Sequence, residues 1–176
     1  TDINGKADVS ETHKYSIWKT GQWLSGEWYG GIAYNMDFKT GTWYGGILED
    51  IEVIGIDIVN NTFTLNGIFK FNIGDTITII DNQLDNANSI YGSNLNPISY
   101  KVLYQTEDTT NKRTIIYVAN DLNGHSVTSA VDTGLRVVSK FKNINWKSGI
   151  WTNGIYDTGL WEGGIWYNGV FDATWS

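Results

Sequence analysis

The chain contains no cysteine, one proline (Pro97) and two histidines, His13 and His125. Without cysteine there are no disulfides, thiolate metal sites or cysteine nucleophiles, and the redox compartment stays open. Two histidines so far apart make no metal motif. Basic residues are scarce: 12 Lys and Arg stand against 19 Asp and Glu, for a formal charge of −7 and a pI near 4.6. That balance speaks against tracking a phosphate backbone, so no nucleic-acid partner is expected. No apolar run reaches the ~18 residues of a membrane-spanning helix, so no membrane insertion is expected. Residues 1–15 read as an irregular leader without the charged-then-apolar layout of a signal peptide. The first residue is Thr1, and the last repeat stops at Ser176. The expectation is a processed chain or a piece of a longer one.

Against the single proline stand 20 glycines, with abundant Thr, Ile, Val and aromatic residues. No stretch carries a 3.6-residue apolar stripe, so the composition predicts almost no helix. The glycines are ordered. In the first tract, residues 16–48, an aromatic slot recurs every fifth position as Trp18, Trp23, Trp28, Phe38 and Trp43, with Ala33 and Leu48 as weaker occupants. Glycine follows three places later at 21, 26, 31, 41 and 46, and Met36 breaks that column. The second tract, 141–176, repeats the rule with Phe141, Trp146, Trp151, Tyr156, Trp161, Trp166 and Phe171. Every tryptophan lies in these two tracts.

A helix cannot carry this period, because each interior glycine costs about 1 kcal/mol relative to alanine. Asn-Gly, Ser-Gly, Thr-Gly and Gly-Gly pairs are turn sequences, so each pentad reads as two or three extended residues and a tight turn. Two architectures satisfy this: an antiparallel meander of hairpins, or a narrow solenoid with aromatic ladders at the strand spacing of about 4.8 Å. The aromatic slot is expected to fill the core. Tyr29, Tyr34, Tyr44 and Tyr167, one place after the slot, are expected on an exposed, contact-making face.

The small residue two places before a large one (Gly21 before Trp23, Gly149 before Trp151) resembles the pentapeptide-repeat family of square coils. Four indoles per turn would crowd such a coil, which asks for a wider coil or a meander. Segments such as GIWTNGIYDTGLWEGGIWYNGVF are more similar to Trp/Gly pentad-repeat virion proteins of tailed bacteriophages. The likeness covers roughly residues 16–48 and 141–175. It implies a structural or host-contacting part of a virus particle, located in the virion, with other virion subunits or further copies of itself as partners.

Residues 49–140 differ. They contain no Trp, and ordinary strand signals replace the pentads: 51–59, two or three strands within 61–81 joined by turns at Asn66-Gly67 and Gly74-Asp75, then 99–106, 113–119 and 135–142. Six or seven short strands suit a small β-barrel or sandwich, inserted where a repeat array accepts insertions, at a turn. The fold class is therefore all-β: a pentad-repeat sheet or solenoid built by both flanks, with an inserted barrel or sandwich.

Chemistry is sparse. His125, Ser126 and Asp132 lie close in sequence without a nucleophile-elbow pattern, and a polar turn at Asn123-Gly124 explains them. The loop from Asp81 to Asn88 offers oxygen ligands but not the ordered spacing of a calcium loop. No catalytic residue, metal ligand or cofactor is assigned, and the chain is expected not to be an enzyme. The expected role is a structural component of a viral particle, a tail, fibre or appendage protein whose inserted domain contacts a neighbour or host surface. The alternative is a lectin-like module stacking host-surface glycans on the Trp/Tyr ladder.

Overall fold

The computed structural model describes residues 16–81, 97–119, 122 and 134–171. Among these there is no helix, and the chain divides into two compact units: residues up to Asp50 together with those from Val138 onward, and Ile51–Val137.

The first unit is a β-solenoid. Its strands are two or three residues long: β1 (Ile17–Trp18), β2 (Gln22–Trp23), β3 (Glu27–Trp28), β4 (Ile32–Ala33), β5 (Asp37–Phe38), β6 (Gly41–Trp43) and β7 (Ile47–Leu48). Ile17 pairs in parallel with Ile32, and Ile32 with Ile47, a constant step of 15 residues. Three pentads therefore close one turn of the coil. The meander is excluded, and so is the square coil. Hydrogen bonds run straight up the axis, as where the Ile32 and Ile47 N–H groups donate to the carbonyls of Ser16 and Gly31 at 2.8 Å.

The second unit is the insert. It comprises β8 (Ile51–Asp57), β9 (Thr62–Asn66), β10 (Thr76–Asp81), β11 (Ile98–Asp108), β12 (Arg113–Val118) and the start of β13 (Leu135–Phe141). The order β10-β11-β12-β9-β8-β13, with β10 also paired to β13, closes six strands into a barrel. Alternation sends Phe63, Leu65, Tyr100, Val102 and Ile116 into its core. Residues 67–72 form no strand. Side chains tie them down instead: Gln105 accepts the Phe71 N–H (2.7 Å) and donates to the Phe69 carbonyl (3.0 Å), and the Thr114 hydroxyl donates to the Gly67 carbonyl (2.7 Å). That holds Phe69 and Phe71 buried.

β13 belongs to both ladders. Arg136 and Val137 pair antiparallel with β8, while Lys140 and Phe141 pair in parallel with Asp37 and Phe38. The coil then resumes with β14 (Ile144–Trp146), β15 (Ile150–Trp151), β16 (Gly154–Tyr156), β17 (Gly159–Trp161), β18 (Ile165–Trp166) and β19 (Val170–Phe171). Ile47 pairs with Ile150, a step of 103. The insert thus adds 88 residues (103 less 15) at the bend between Leu48 and Phe141 without shifting the repeat. Three parallel sheets result: β1-β4-β7-β15-β18, β2-β5-β13-β16-β19 and β3-β6-β14-β17.

Two barrel hairpins share one turn design. The Asp57 carboxylate accepts from the Val59 and Asn60 N–H groups (2.9 and 3.1 Å) and the Asn60 side chain (2.7 Å), and Asn61 follows at φ +53°. Asp108 binds the Asn111 N–H and side chain in the same way, and Lys112 follows at φ +54°. These bonds to Asn60 and Asn111 hold both carboxyls below the ordinary value of 3.8. A depressed folded pKa adds stability above the unfolded value that is lost as pH falls through the folded one. The Val59, Asn60 and Asn111 amide protons should therefore shift on acidification with midpoints below 3.8. Midpoints at or above that value would contradict the turn assignment.

Candidate functional site

The aromatic slot faces inward at every rung. Trp18, Trp23, Trp28, Phe38, Trp43, Phe141, Trp146, Trp151 and Tyr156 are all buried, as are Ala33 and Leu48. Trp161, Trp166 and Phe171 are partly buried against them. Within a coil the rings meet edge-on, as for Trp18–Trp23 (5.6 Å, 69°) and Trp23–Trp28 (5.9 Å, 79°). Between coils they stack face to face: Trp28, Trp43, Trp146 and Trp161 form one continuous column with centroids 5.0, 4.7 and 5.1 Å apart. Both are favourable aromatic geometries, so three indoles fill a turn without crowding.

Glycine and indole are coupled through the corners. A Cβ on Gly149 would lie 3.1 Å from Nε1 of Trp43, and one on Gly164 equally close to Nε1 of Trp146. Each indole edge thus tucks beneath a corner of the next coil that has room only for glycine. The N–H groups there gain no hydrogen bond: those of Trp18, Trp23, Trp28, Trp43, Trp146 and Trp151 are buried without a partner among the described residues. Met36 breaks the glycine column, and its backbone gains a side-chain partner there. The Met36 N–H donates to the Ser139 hydroxyl at 2.9 Å. Tyr156 donates its hydroxyl to the Ile144 carbonyl at 3.1 Å, and burial pushes that phenol above its usual range.

The outer faces differ from one another. Tyr29 (68% exposed), Tyr44 and Tyr167 (67%) are exposed, and Tyr34 is half-buried. Tyr29 and Tyr44 stack on each other at 4.9 Å and 4°, so each covers one face of its neighbour. Tyr29 also donates to the Glu27 carboxylate, and that bond is the main cause of its raised pKa. The Lys147–Glu162 pair continues the Tyr29–Tyr44 column, and with Lys39–Asp37 and Lys142–Asp157 on the neighbouring sheet it is a surface ion pair that adds little. Burial, and then Asp50 beside it, raise the pKa of Glu49 against the opposing hydroxyl of Thr152.

The sheet β1-β4-β7-β15-β18 is the apolar one. Its outward column is isoleucine at every rung: Ile17, Ile32, Ile47, Ile150 and Ile165. Ile17 is 55% exposed and Ile165 50%. The slot residues concealed this column in the sequence, because it appears only once every third pentad is aligned.

No group of three or more acidic or histidine side chains gathers into a metal site among the described residues. His125, Ser126 and Asp132, and most of the loop beyond Asp81, lie outside the described residues. No protein-family model matches the chain, and no curated protein matches it.

Proposed function

We propose that this chain is a non-enzymatic structural component of a viral particle, a tail, fibre or appendage protein. The coil serves as a stiff shaft that associates with neighbouring subunits, and the inserted barrel is the contacting part. The observation that carries the assembly role is the isoleucine column on one face of the coil. The ladder core is already filled by the inward rings, so this column faces away from it, and apolar rows on a surface mark contacts. The viral assignment rests on the likeness of the pentads to those of phage virion proteins.

Glycan stacking on the tryptophans is disfavoured, since their ring faces are occupied by neighbouring rings. Ile32→Lys combined with Ile150→Lys tests the assembly role. Wild-type chain is expected to sediment as an oligomer and the variant as a monomer with unchanged tryptophan emission. A wild-type chain that stays monomeric alone and with co-purified virion proteins would end that part of the reading. A gene neighbourhood without tail or capsid genes would end the viral part.

A further inference from the structure

We infer that the outer face of the barrel around Tyr104 and Tyr117 is a binding site for a neutral saccharide. On β11 the inward residues are Tyr100 and Val102, both buried, so simple alternation would send Tyr104 into the core. A register shift between Val102 and Tyr104 prevents this. The bulge leaves two consecutive large residues outside, Leu103 at 49% and Tyr104 at 54% exposure. Bulges that re-aim a side chain are concentrated beside functional sites. Across the ladder Tyr104 lies opposite Tyr117, with ring centroids 5.2 Å apart and planes tilted by 44°. The two rings are not parallel and do not cover each other as Tyr29 and Tyr44 do.

The neighbouring positions follow from the registers. Thr106, Ile115, Thr64 and Gly55 occupy consecutive strands in the next outward row. Gly55 places no side chain beside Thr64 and leaves the row low at that end. The Tyr104–Tyr117 row continues through the buried Thr62 to Asp57, so the two rows hold phenol rings, hydroxyls, one aliphatic chain and a single charged group, whose carboxylate is taken up by Val59 and Asn60. Asp108 and Arg113 face each other in the row beyond. Aromatic rings beside hydroxyls, with no cation among them, suit the apolar ring faces and hydroxyls of an uncharged sugar. An anionic ligand would find no cation within the rows.

Two rows on four strands cover on the order of 250 Å² at the usual strand spacing. A stable protein partner takes about 800 Å² per side. The footprint fits a small ligand. The bulge also turns Gln105 inward onto Phe69 and Phe71, a structural task that by itself would give Tyr104 no part in binding.

The inference rests on the barrel being the contacting part, but the two readings fail separately. Maltopentaose, cellopentaose and chitopentaose, with sialyllactose as an anionic control, are titrated into the full chain at millimolar concentration while amide shifts are followed. At least one neutral sugar should shift resonances of β11 and β12. Tyr104→Ala and Tyr117→Ala should each weaken it by about tenfold, Tyr104→Phe by no more than about threefold, and Tyr29→Ala not at all. The inference is overturned by no shift with any of the neutral sugars, by preference for sialyllactose, by binding that ignores both alanine variants, or by a dimer that Tyr104→Ala dissolves. Saccharide binding by a chain absent from virions would instead remove the viral reading and leave the site standing.

Discussion

Gly159→Ala should destabilise the solenoid by about 4 kcal/mol or abolish its folding, among the largest effects of any single methyl added to this chain. Gly159 has φ +140°, a backbone region that residues with a Cβ rarely adopt. The added carbon would also overlap the Ile144 carbonyl oxygen and approach its nitrogen and carbonyl carbon at 2.7 and 2.8 Å. Those atoms cannot retreat. Ile144 is hydrogen-bonded into β6 on one side and β17 on the other, and its carbonyl also receives the Tyr156 hydroxyl. Gly30→Ala is the control, since a Cβ there meets nothing within 4 Å. It should be neutral or stabilising by about 0.4–1 kcal/mol through the unfolded chain. Tryptophan emission in urea follows the coil selectively, because all nine tryptophans lie in the flanking tracts. A Gly159→Ala midpoint matching that of Gly30→Ala would show that the corners are not close-packed.

The sequence carried the repeat but not its closure. A five-residue period is local, written in each aromatic and its glycine, and it leads directly to short strands, tight bends and an inward ladder. How many pentads complete a turn is decided in three dimensions, by rings that meet edge-on within a coil and stack between coils. Ala33 and Leu48 read as weak entries, yet both occupy the same inward column as Trp18 and Trp151. Met36 read as a defect because its partner, the Ser139 hydroxyl, is 103 residues away. In the insert, alternation located the strands to within about three residues. It missed the length of β11, whose strand continues to Asp108 before the tip at 109–112. It also read strand character into the 67–72 segment, where Gln105 and Thr114 take over the work of a ladder. The outward pair Tyr104 and Tyr117 was invisible for a related reason: alternation assigns Tyr104 to the interior, and only pairing with β12 reveals the bulge.

Trp146→Ala should cost about 3–5 kcal/mol and uncouple the two ends of the coil. The Trp146 ring lies between Trp43 (4.7 Å, 10°) and Trp161 (5.1 Å, 5°), and meets Trp151 edge-on at 5.3 Å. It is fully buried, and no neighbour can fill the space it leaves without breaking a stack. One term opposes the loss. The indole N–H is buried without a partner, at a cost of about 1–3 kcal/mol, and alanine removes that as well. Trp146→Phe separates the two contributions, because it keeps a stacked ring and deletes the N–H. It should cost far less than alanine, about 1–2 kcal/mol, since the lost ring area is partly offset by relief of the stranded donor. Trp166→Ala supplies the positional contrast: Trp166 is only partly buried, on the last described coil, and stacks on Trp151 alone. In a solenoid whose coils contact only their neighbours, a central deletion interrupts the array, whereas a terminal one frays it. Urea melts followed by tryptophan emission should accordingly split into two transitions for Trp146→Ala and remain single for Trp166→Ala. Equal losses at the two sites would mean that the column is three separate contacts rather than one stack, and the stiffness asked of the shaft would have to come from its backbone ladders.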